Sequence, residues 1–122
     1  MNTWLAAAAV ASLATALIHI LAGGRHIARP LMEAGDLTTV PKHTQYYCWH
    51  IVSIVLLAMA GGYAYGSTAP EAMALNVMLT GLAASFALWN IALILWKRLD
   101  PKHMIQWALF LPITLLGLAG LI

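Results

Sequence analysis

AMALNVMLTGLAASFALWNIALILW, residues 72–96, runs from Ala72 to Trp96 without one charged side chain. As a helix these residues reach about 37 Å, more than the roughly 30 Å hydrocarbon core of a bilayer. Within the run Asn76, Thr80, Ala83, Ala87 and Asn90 recur at steps of four, three, four and three, which places them on one helical face. Small and polar residues on one face, with Leu, Ile, Met and Trp on the others, describe a helix packed against neighbours inside a membrane. A surface helix of a soluble bundle carries a charged outer face, and this run has none.

The same reading extends outward. Residues 1–24, 43–70 and 104–122 also lack Asp, Glu, Lys and Arg. The chain is 62% apolar and 8% charged, with a mean hydropathy of +0.84, where a soluble domain holds about 25% charged residues. At 122 residues it is a single domain, 1–122. The fold class expected is all-α: a polytopic membrane protein, an antiparallel four-transmembrane-helix bundle. Its helices are expected at about 4–24, 44–66, 70–97 and 101–122. Met1-Asn2-Thr3-Trp4 lacks the basic start of a secretory signal, so the first helix reads as an uncleaved span.

Local signals set the expected boundaries. Arg25 to Ala34 can continue the first helix until Gly35-Asp36 ends it, with Pro30 in a short interfacial turn. Leu37–Lys42 reads as loop, broken by Thr38, Thr39 and Pro41. Thr68-Ala69-Pro70-Glu71 has the form of a capping box. Asp100-Pro101 pairs an N-cap acceptor with a first-turn proline. Pro112 is expected to kink the fourth helix.

All six Lys and Arg, with all five His, fall within residues 19–50 and 97–103. Arg25, Arg29 and Lys42 mark the first loop, and Lys97, Arg98 and Lys102 the third. Basic loops stay in the cytoplasm. The chain is therefore expected to be a multi-pass protein of the cell (inner) membrane, with both termini on the non-cytoplasmic side. A formal charge of +2 is too small to indicate nucleic acid and serves topology and lipid headgroups. The lone Cys48 excludes an internal disulfide.

Depth then singles out a few polar residues. His19 lies six residues before Arg25, roughly 9 Å inside the basic boundary, and His50 reaches a similar depth on the next, antiparallel helix. Asn90 approaches that layer from the third helix and Gln106 from the fourth. Tyr46, Trp49, Ser53, Trp89 and Trp107 lie beside them as expected pocket lining. Intramembrane ionisable groups are costly and tend to face a cavity, partner or ligand. His19, His50 and Asn90 are therefore the expected ligand-binding or metal-binding set. His26 and His43 stand nearer the surface, at the mouth of such a site, and His103 is an interfacial residue.

No Asp or Glu lies within a span, which removes a carboxylate di-iron centre and carboxylate-based proton transport. Three chemistries stay open: a transition metal or small polar solute bound or passed by the His layer, one b-type haem between the first two helices, or a lipid or quinone headgroup on which His acts as acid or base. A non-catalytic assembly subunit, using the Gly62–Gly66 and Gly81–Ser85 faces for oligomerisation, is the remaining class. Any transport role implies a homo-oligomer or a membrane partner, because four short helices enclose little.

Overall fold

The computed structural model describes Met1–Ile122 as four helices and no strands. Helix α1 spans Thr3–Glu33, α2 Thr39–Thr68, α3 Met73–Lys97 and α4 Gln106–Leu121. A 3-10 turn at Pro70–Ala72 leads into α3. The first three are long and apolar enough to cross a membrane, whereas α4 is apolar but only 16 residues long. That is about 24 Å, short of a full hydrocarbon core. Large apolar side chains such as Leu21, Ile54, Leu88, Leu95 and Leu115 point outward, as a lipid environment permits.

Several boundaries differ from those the sequence suggested, each for a local reason. Helix α1 runs past Gly24 to Glu33, along the continuation open to Arg25–Ala34, and its residues Ile18–Ala28 take π-helical rather than α-helical bonding. That bonding ends with the Arg29 N–H on the Gly24 carbonyl, just before Pro30, which has no N–H to offer. Pro41 is no breaker: α2 starts at Thr39, and Pro41 sits in its first turn, where no N–H needs a helical partner. The capping box before α3 does not form. The Thr68 hydroxyl donates back to the Tyr65 carbonyl, and Glu71 accepts from the Tyr65 phenol. Asp100 caps only an isolated turn, accepting from Lys102 N at 2.8 Å, and α4 begins later, at Gln106. The helix continues across Pro112 to Leu121.

Helix α1 packs against α2 and α4, α4 against α3, and a thinner α2–α3 contact closes the ring. Ala8, Ala16, Ala83 and Ala87 are almost wholly buried, and small residues of this kind let helices approach closely where lipid offers no hydrophobic drive. Between them lie Leu56, Met59, Tyr63, Phe110 and Ile113. The interior is tied by the Tyr63 phenol and the Thr80 hydroxyl, 3.0 Å apart, a bond of about 0.6–2 kcal/mol in a membrane bundle. Gly62 and Gly66 face the side chains of Leu79 and Asn76, so this pair serves the α2–α3 contact inside the chain.

Both ends are tied off. At the terminal end Asn2 accepts from Trp4 N and Leu5 N, capping α1, and donates its amide to the Gly120 carbonyl at 2.8 Å. Its own N–H meets the Ser67 carbonyl at 2.7 Å. At the basic end the Lys42 ammonium bonds the carbonyls of Met32, in the last turn of α1, and of Ala34, which follows it.

Candidate functional site

The π-helical stretch of α1 shapes the basic end of the bundle. An 11-residue π run is far longer than the single-turn bulges usually seen, and such features concentrate at functional sites. Residues four apart along it separate two hollows. Ile18, His19, Ala22, Gly23, His26 and Ile27 border one, and Ile20, Gly24 and Ala28 the other. Trp49 of α2 is the wall common to both.

Trp49 holds this place through two contacts with α1. Its indole stacks on the His19 imidazole, with ring centres 3.9 Å apart and planes 19° from parallel. It also lies directly on the Gly23 backbone, where a Cβ would come within 2.6 Å of Trp49 Cη2. Only glycine leaves room for the ring. His19 Nε2 donates to the Trp49 carbonyl at 3.2 Å, and the Ser53 hydroxyl donates to the same oxygen at 3.3 Å. With the Nε2 proton so engaged, the neutral ring presents Nδ1 as a free acceptor.

The larger hollow, about 580 Å³, lies between α1, α2 and α4. Its wall is mostly apolar, including Ile18, Val52, Leu56, Leu109 and Phe110. Polar groups are few: Thr15, His19, His26, Gln106 and, from the α3–α4 loop, His103. The His103 ring also pairs with Asp100 at 3.1 Å and is largely exposed, so it stands at the rim. The smaller hollow, about 470 Å³, lies between α1 and α2 and is bordered by Arg29, Tyr46, His50 and Ser53.

The residues expected to share one site are thus distributed. His19 and His50 border different hollows. His50 makes an edge-on contact with Tyr46, with ring centres 4.6 Å apart. Asn90 borders neither; both ends of its amide serve α4. Its Oδ1 accepts from Trp107 N at 3.0 Å and its Nδ2 donates to Gln106 Oε1 at 3.2 Å. Tyr46, Trp49 and Ser53 do line a hollow, as does Gln106. Trp89 points outward, and Trp107 donates its indole N–H to the Pro101 carbonyl. Among the cations, Lys42 caps α1, Arg29 pairs with Glu33 and Lys97 lies over the Trp96 ring, while Arg98 ends α3 in a left-handed conformation. No three His, Cys, Asp or Glu stand close enough to hold a metal ion, so the proposed metal chemistry has no preformed ligand set.

That Trp49 rests on Gly23 was missed from sequence. The signal was present in the spacing: Gly23 is one turn beyond His19 on the stripe that faces α2. No family model, no curated protein and no solved structure matches the chain.

Proposed function

We propose that the chain is a four-span protein of the cell membrane, with both termini outside the cytoplasm, that binds an amphiphilic small molecule in the 580 Å³ hollow beside His19. The observation that supports this most directly is the uneven lining of that hollow: mainly apolar, with Thr15 the one polar side chain at its inner end and imidazoles and one amide toward the basic end. Small-molecule sites have this volume and this chemistry, a mainly apolar wall with a few orienting polar groups. The apolar body of the ligand lies along Val52, Leu56 and Phe110. Its head, a quinone ring or the hydroxylated head of a lipid, hydrogen-bonds to His19, His26 or Gln106. A hydroxyl on the ligand donates to His19 Nδ1, and a carbonyl on the ligand accepts from the Gln106 amide. Because the Trp49 carbonyl holds Nε2–H, His19 enters that bond with its tautomer already set.

Binding is the activity proposed; acid–base chemistry by His19 on the bound head is its natural extension. A bare metal ion is the less supported ligand, since the imidazoles do not converge. The test is titration of detergent-purified protein with a decyl-tailed benzoquinone and, separately, monodecanoylglycerol, read by tryptophan fluorescence and calorimetry. At least one is expected to bind saturably. Its dissociation constant is expected to rise tenfold or more in His19→Ala and in the hollow-filling Ala22→Trp. Saturable binding of neither probe, or unchanged binding in His19→Ala, overturns the proposal.

A further inference from the structure

We propose that the 470 Å³ groove on the α1–α2 side of Trp49 holds the phosphate of an anionic membrane phospholipid. Three donors border this groove with spare capacity. The Arg29 guanidinium uses only Nε on Glu33, at 2.8 Å, which leaves both terminal nitrogens unpaired. The Tyr46 phenol and the His50 ring have no hydrogen-bond partner, and their edge-on contact fixes how the two rings stand to each other.

A planar guanidinium with two free nitrogens, a phenol and an imidazole suit a tetrahedral oxyanion better than a single point cation does. Glu33 pairs with Nε and offsets part of the Arg29 charge, so the phosphate is held by directed bonds from the two terminal nitrogens, the phenol and the imidazole rather than by net charge. Gly24 leaves the floor open, since a Cβ there would meet nothing within 4 Å. Apart from Ser53, whose hydroxyl donates to the Trp49 carbonyl, the rest of the wall is apolar, with Ile20, Ala28 and Met32 offering a surface to the upper acyl chains. These walls belong to helices long and apolar enough to span a bilayer, and the cation sits near the end of α1. That depth is where phosphates lie, and basic groups there draw anionic lipid. Phosphate chemistry alone also fits free inorganic phosphate; the apolar walls favour the lipid.

This site shares only the Trp49 wall with the amphiphile hollow, so either proposal can fail without the other. The experiment follows thermal unfolding and native mass spectrometry in a neutral maltoside detergent. The additives are dioleoylphosphatidylglycerol, dioleoylphosphatidylcholine and sodium phosphate. Phosphatidylglycerol is expected to stabilise saturably and to remain bound, with an apparent affinity at least fivefold weaker in Arg29→Gln and about threefold weaker in Tyr46→Phe. Arg98→Gln, at the same end but outside the groove, is expected to bind as the unaltered chain does. Both groove variants are expected to fold, because Arg29 is exposed with its only partner on its own helix and Tyr46→Phe keeps the ring contact. Equal losses in Arg29→Gln and Arg98→Gln overturn the proposal in favour of general surface charge. Saturation by sodium phosphate at matched concentration overturns the lipid as the source.

Discussion

Gly23 and Gly24 are neighbours in the chain and opposites in their surroundings. A methyl at Gly23 meets the Trp49 ring, while one at Gly24 meets open space. Gly23→Ala is therefore expected to cost about 1–3 kcal/mol of stability, the usual penalty of overpacking. Gly24→Ala is expected to be neutral or to gain up to about 1 kcal/mol, as alanine restricts the unfolded chain. Reversible unfolding in mixed micelles measures both, and equal effects would show that Trp49 does not rest on the α1 backbone. The same scale shows how far the sequence could be read. The depths of His19 and His50 follow from counting residues, but the angle of His50 around α2 does not. Trp49, one residue and about 100° away from His50, is the residue that meets His19. On α2 polarity also misled: His50, expected to face a shared site, is exposed. The buried positions are Leu56, Met59, Tyr63, Gly66 and Ser67. Polar groups near a membrane surface can reach water, so they need not turn inward.

At the scale of the element, the seam on α3 was fully legible. Asn76, Thr80, Ala83, Ala87 and Asn90 are all buried, because deep in a span a small or polar residue gains only from a neighbouring helix. The start of α4 was not legible, since its cap comes from another helix. Asn90→Ala removes the acceptor of Trp107 N–H and the partner of Gln106. The expected loss is about 1–3 kcal/mol, the cost of leaving enclosed polar groups unpaired. Hydrogen exchange should quicken first at Gln106 to Ala108; uniform quickening along α4 would contradict the capping role. Lys42 makes the matching case at the end of α1. Lys42→Met is expected to cost about 1 kcal/mol, and Arg25→Met, which loses no hydrogen bond, close to nothing.

At the scale of the whole molecule, the gathering of Lys and Arg at one end carries the proposed orientation. With Cys48 replaced by Ser, single cysteines at Asp36 and Pro70 report on opposite ends. Both positions are exposed in the connections between helices. A membrane-impermeant maleimide added to intact cells is expected to label Pro70→Cys and to reach Asp36→Cys only after permeabilisation. The reverse pattern would invert the topology. Helix number and order were legible because uncharged runs and basic loops are long-range patterns. The ring of contacts was only partly so: short connections put successive helices side by side, but nothing local announces that α1 lies against α4.

The Asn2 knot bears on timing. Its amide meets the Gly120 carbonyl across 118 positions of chain, and closing so long a loop costs roughly 4 kcal/mol of chain entropy. A single hydrogen bond cannot offset that cost, so the tie forms only after packing has brought the first and last helices together. Asn2→Asp, which keeps the oxygen that caps α1 and loses only the amide donor, should therefore leave the rate of refolding from denaturing micelles nearly unchanged and raise the rate of unfolding. Asn2 thus acts as a latch, setting how long the bundle stays shut rather than how fast it assembles.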